Sequence, residues 1–114
     1  MATDSKYEPL FNKTWNSNET VTDSSSEIIS ESTNKRRRYM IIYNLDDKHT
    51  VFISAGLSGE TGGTAEIDKG IPIRPDRSFI MDANNITFSP IHAIAKPVEG
   101  DNPSVLLSIS IGTA

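Results

Sequence analysis

The sequence predicts an all-β fold: a small antiparallel β-sandwich, jelly-roll-like or barrel-like, of about seven or eight short strands. The sandwich spans residues 20–114 and follows an extended N-terminal arm over residues 1–19. Three observations carry this prediction. No window of about ten residues shows helical periodicity bounded by caps. Short apolar runs rich in β-branched and aromatic residues recur at close intervals. Between them lie most of the 7 Gly and 6 Pro, the residues that turns require. A chain of 114 residues fits one domain with a thin core, burying about two thirds of its unfolded surface.

The arm comes first. Tyr7, Leu10, Phe11 and Trp15 are separated by polar residues at neither a helical nor a strand period. A solvated tail is the plain alternative, since domain ends are often poorly ordered. Disordered segments are poor in aromatics, however, and aromatic anchors dominate interface energies. The arm is therefore expected to bind a neighbouring subunit through these four side chains. Two short strands follow, around Thr20–Thr22 and Glu27–Ser30, with Asp23–Ser26 as the turn between them.

From Arg38 to Tyr43 the chain is almost continuously apolar and reads as a central strand buried on both faces. Thr50–Ser54 is expected to form a hairpin with it across the Asp46–His49 turn. Four glycines between Gly56 and Gly63 exclude a regular element and predict a long loop. Ile71-Pro72-Ile73 reads as an edge strand, where Pro is tolerated. Arg74–Arg77 is a turn, Phe79–Met81 a strand, and Asp82–Asn85 another turn leading to Ile86–Phe88. Ile91–Ala95 is a strand bounded by Pro90 and Pro97. The last strand places Val105, Leu107, Ile109 and Ile111 on one face and Leu106, Ser108 and Ser110 on the other, with one side wet.

Composition excludes several classes of function. Without cysteine there is no disulfide, thiolate metal site or thiol nucleophile, which suits a reducing cytosol. Residues 1–10 carry Asp4, Lys6 and Glu8 and no apolar run, so they read as neither a signal peptide nor a membrane anchor. The sequons at Asn12, Asn18 and Asn85 are then coincidental. The net charge of −4 lies in the first third: residues 1–33 hold six acidic and two basic groups, residues 34–114 nine of each. A neutral body with an acidic leader lacks the basic face that nucleic-acid binding needs.

The search for chemistry is mostly negative, and neither catalytic residues nor cofactors nor metals are expected. His49 falls in a turn and His92 in a strand, neither at a metal-ligand spacing from a second donor. Asp46-Asp47 and Asp68 lack the calcium-loop pattern and read as turn carboxylates. The 56–63 loop has no Gly-Lys-Ser/Thr ending and no helix behind it to cradle a phosphate. Gly56-Leu57-Ser58-Gly59 is one residue short of a nucleophile elbow. The one basic cluster, Lys35–Arg38, splits between two sheet faces at strand alternation. Arg36 and Arg37 are instead expected to make ionic contacts with Glu27, Glu31 or an acidic arm of another subunit.

The order of features in this chain resembles a known module. It runs Thr20-Val21-Thr22, Glu27-Ile28-Ile29, Asn34, Arg37-Arg38-Tyr39-Met40-Ile41-Ile42-Tyr43-Asn44 and Val51-Phe52-Ile53. It continues through Gly70-Ile71-Pro72-Ile73 and Ser78-Phe79 to Pro90-Ile91-His92-Ala93-Ile94-Ala95. This is similar to a small β-module that recurs in tailed-bacteriophage virion proteins, over residues 20–112. The resemblance implies a non-enzymatic structural role in the virion, with assembly in the host cytoplasm. It implies capsid decoration or cement, or a head-fibre protein, with partners among the major capsid protein or tail and connector components. Repeated identical contacts multiply weak interfaces, so a closed cyclic homo-oligomer is expected, without nucleic-acid or membrane partners. The 56–63 loop is longer than usual for the family, and Arg74-Pro75-Asp76-Arg77 stands where a Pro-Gly turn is common. The alternative is a receptor- or glycan-binding module of a tail or fibre, with Trp15, Tyr39 or Tyr43 stacked on sugar rings, although the tyrosines also fit strand packing. A cellular chaperone or adaptor could share the same sandwich.

Overall fold

The computed structural model describes residues 13–33, 35–55, 64–82 and 85–113. Eight strands form there: β1 (Lys13–Val21), β2 (Ser26–Ile29), β3 (Arg37–Asn44), β4 (Val51–Ala55), β5 (Ile71–Ile73), β6 (Ser78–Met81), β7 (Ile91–Ala95) and β8 (Val105–Thr113). They make two four-stranded antiparallel sheets, ordered β1-β8-β3-β6 and β2-β7-β4-β5. First pairs with last, second with seventh, third with sixth and fourth with fifth. The chain is thus one long antiparallel hairpin, bent at β4–β5 and wrapped so that its arms alternate between sheets. That is the strand order of an eight-stranded jelly roll.

This wrapping corrects two readings of strand pairing and extent. β3 and β4 lie in different sheets, so Asp46–His49 is a crossover between sheets and not a hairpin turn. β1 begins at Lys13, ahead of the strand expected at Thr20, so residues 13–19 belong to the edge of a sheet. Ile86–Phe88 forms no strand. The 56–63 loop lies outside the described residues.

Alternation explains the faces. In β8, Val105, Leu107 and Ile109 are buried and Leu106 is exposed, the expected pattern of a strand with one wet side. β3, expected to be buried on both faces, hides Arg37, Met40, Ile42 and Asn44; Tyr39, Ile41 and Tyr43 are half-buried on its outer side. These inward residues meet Val51, Ile53, Ile73, Ile91, Ala93 and Ala95 of the facing sheet, and together with Val21 they form one core. Each fully buried aliphatic side chain contributes about 1.5–3 kcal/mol relative to exposure. β5 depends on Gly70, at φ +84°, where a Cβ would overlap the carbonyl oxygen of Ile53. The Arg74–Arg77 turn is closed by Arg77 N–H donating to the Arg74 carbonyl at 3.1 Å, with Asp76 left-handed at φ 58°.

Candidate interaction site

The two ends of the sandwich differ in how they are finished. At the end where β3 leads toward β4, Asn44 is fully buried. Its amide donates to the carbonyls of His49 and Ile73, both at 2.9 Å, and its oxygen accepts from Asp46 N–H at 2.9 Å. Asp46 in turn accepts from the backbone N–H groups of Lys48 and His49, which is the work of a turn carboxylate. The His49 ring is held between Asp46 Oδ2 on Nδ1 and Asp101 Oδ2 on Nε2, each at 2.8 Å, with Lys48 Nζ 3.2 Å from the same Asp101 oxygen. Burial alone would lower the His49 pKa, but hydrogen bonds and charge from Asp101 and Asp46 outweigh it and raise it above 6.5. Asp101 is held down to about 2, first by the Val98 N–H and then by His49. Burial would raise Asp46, but the His49 and Lys48 amide bonds and the His49 ring bring it below the usual carboxylate value.

An imidazolium with both N–H groups donated to carboxylates has no nitrogen left to act as a base on a nucleophile. The cluster therefore stitches the β3–β4 crossover to the β7–β8 loop. Among the described residues, no group of three or more histidine and carboxylate side chains converges to hold a metal ion. Sequence reasoning saw His49 only as a turn residue. Its i, i+3 spacing from Asp46 was visible, but Asp101 is brought in by topology alone.

The opposite end is open. β2 is only four residues long, whereas β1 and β8 each run for nine, so sheet β2-β7-β4-β5 leaves part of the facing sheet uncovered. The result is a cleft of about 860 Å³ between the two sheets at their β1 and β2 edges. Ile109 and Ile111 form its floor on one side and Ile28 and Ile29 on the other. Lys13, Glu31 and Arg36 lie on its polar lining.

Trp15 is one of the residues that line this cleft. It pairs across from Ile111, as Ser17 does from Ile109, so it stands on the inward face of its sheet. Inward residues of a sandwich are normally covered, yet Trp15 is 65% exposed. Its β1 backbone is also an edge among the described residues, with β8 as its neighbour in the sheet. Tyr7, Leu10 and Phe11, the other anchors expected from the sequence, lie outside the described residues.

The two arginines part company here. Arg36 is exposed and lines the cleft. Arg37, expected to make an ionic contact between subunits, is 2% exposed and serves its own chain. Its guanidinium donates to the carbonyls of Ser30 at 2.6 Å, Thr87 at 2.8 Å and Ser89 at 3.2 Å. Burial pushes its pKa below the ordinary arginine value. A register shift in β3 between Arg37 and Tyr39 explains the turn inward, because a bulge puts Arg37 on the same face as Met40. The guanidinium thus closes the back of the cleft, tying the segment after β2 to the one before β7.

The tyrosines considered for sugar stacking are not in the cleft. Tyr39 and Tyr43 are half-buried on the outer face of β3, and the Tyr43 hydroxyl donates to Asp76, which raises its pKa. His92 lies opposite Glu27 in the other sheet, and its Nδ1 has no hydrogen-bond partner among the described residues. No family model matches this sequence, and comparison with curated proteins and with solved structures finds no match.

Proposed function

We propose that this chain is a non-enzymatic structural protein of a phage virion, a decoration, cement or head-fibre module that binds neighbouring protein chains at its open end. One observation carries the reading: an indole on the inward face of a β-sandwich stands 65% exposed beside an edge strand. A large aromatic left uncovered over an apolar floor marks a surface that another chain covers. The edge strand adds a row of backbone donors and acceptors that a partner strand can pair with. The order of motifs from Thr20 to Ala95 supplies the virion context, and jelly rolls recur in viral capsid domains. The partners are the major capsid protein or a tail or connector component, together with other copies of this chain.

The test is a high-resolution cryo-EM map of particles from the source of this chain. Density for the sandwich on the shell, with Trp15 covered by a neighbouring chain, supports the reading; particles lacking it refute the cementing role. A second reading rests on the same indole, because Trp15 among Thr14, Glu31, Arg36 and Thr113 is also a stacking surface with polar neighbours. Jelly rolls also serve as lectin domains. Saturable glycan binding that disappears in Trp15→Ala would favour it.

A further inference from the structure

Resting on that reading, we infer that the cleft at the open end receives residues 7–11 of a second copy of this chain, the two copies exchanging these segments reciprocally. The first argument is shape. The cleft has apolar walls on opposite sides, Trp15, Ile109 and Ile111 on one and Ile28 and Ile29 on the other. Consecutive side chains of an extended segment point in opposite directions. A segment that fills this space therefore needs neighbouring large apolar residues, one for each wall. Leu10-Phe11 is such a pair, with Tyr7 just before it. Pro9 favours extended backbone both at its own position and at the residue before it. Charge agrees as well, since Glu8 would approach a lining whose cations, Lys13, Arg36 and Arg37, outnumber its one carboxylate, Glu31.

The second argument selects the copy. β1 starts at Lys13, which itself lines the cleft. In the same chain, Leu10 and Phe11 precede that residue by only two or three positions, about 10 Å of extended backbone at most. To enter its own cleft the chain would have to reverse at once, with Phe11 and Asn12 as the turn, which removes one of the two anchors. A segment from a second copy has no such restriction. Reciprocal exchange gives a closed two-fold pair in which both clefts are filled.

Trp15 is the only tryptophan in the sequence, so its fluorescence reports directly on the cleft. The experiment is a dilution series of the full chain, followed by emission wavelength and by sedimentation velocity. The expected result is a short-wavelength emission at high concentration that moves to long wavelength on dilution, in step with dissociation of a dimer. A full-length L10S/F11S variant should remain monomeric with long-wavelength emission throughout. A synthetic peptide of residues 1–12 added to that variant should restore the short-wavelength emission saturably, whereas a scrambled peptide should not. A full chain that sediments as a monomer at every concentration overturns the inference: long-wavelength emission then means an unfilled cleft, and short-wavelength emission means that the chain fills its own. The outcome is separable from the virion reading. A full chain that stays monomeric yet decorates particles through residues 1–12 defeats only this inference. A dimer formed through the cleft but absent from particles defeats only the virion role.

Discussion

At one end of the sandwich Asn44 and His49 close the gap between the sheets; at the other, Arg37 secures the backbone and Trp15 is still left in solvent. Both ends bury a polar side chain to satisfy backbone carbonyls that no ladder reaches, as buried carbonyls require. They differ in what covers the apolar surface. Near Asn44 the crossover and the β7–β8 loop fold over the core and are clamped there by the Asp46–His49–Asp101 bridge. Near Arg37 the short β2 exposes the inner face of β1 and β8. At each end a buried side chain binds carbonyls of its own chain, whereas among the described residues apolar coverage is completed at only one end. Stability and the proposed association would thereby rest on different residues, and substitutions can separate them.

The largest effect should come from Arg37→Leu. It leaves the Ser30, Thr87 and Ser89 carbonyls without their donor, which should cost about 3 kcal/mol or more in urea denaturation. Arg37→Lys should recover only part of this, because an ammonium lacks the planar fork that reaches all three. If Arg37→Leu were neutral, the open end would not depend on its buried guanidinium. Asn44→Leu comes next, at about 2–3 kcal/mol, from two carbonyls and one amide losing their partner.

A pH titration of thermal stability sharpens the contrast further. His49 is raised above 6.5, so its contribution is complete below that value and is lost as pH rises through the raised value. Asp101 is depressed from 3.8 to about 2, so its contribution is present above 3.8 and is lost as pH falls toward 2. Stability should therefore peak between pH 3.8 and 6.5. H49Q should flatten the alkaline limb; an unchanged limb in that variant would mean that another group is responsible. The smallest effect on folding belongs to Trp15→Ala, below about 0.5 kcal/mol because the indole is mostly exposed. The same variant should lose association with partner chains, and a large loss of stability would show instead that Trp15 is a core residue.

Most strand positions were legible, because runs such as Met40–Tyr43, Val51–Ile53 and Ile91–Ala95 announce themselves by composition. β8 announced its faces as well. Partners were not legible, since alternation identifies a face and not the strand beside it. β3 and β4 are neighbours in sequence but lie in opposite sheets, and the chain's wrapping alone decides that. Arg37 was misread for a related reason. Simple alternation from Met40 puts it on the outer face, and only the shift between Arg37 and Tyr39 brings it in. Trp15 stood out in the sequence as a large apolar side chain among polar neighbours, but its position on the inward face depends on register with Ile111.

The pairing of the first strand with the last has a consequence for how the molecule comes into being. β1 closes against β8, with Lys13 opposite Thr113, so the hairpin's outermost rung is also its longest loop closure. Contacts of such sequence separation are slow to form, and on the ribosome β1 must wait until residues 105–113 have emerged. Two walls of the cleft, Ile109 and Ile111, belong to that late strand. The cleft is thus assembled only after β8 has been made, and a chain that has yet to form β8 has no such cleft.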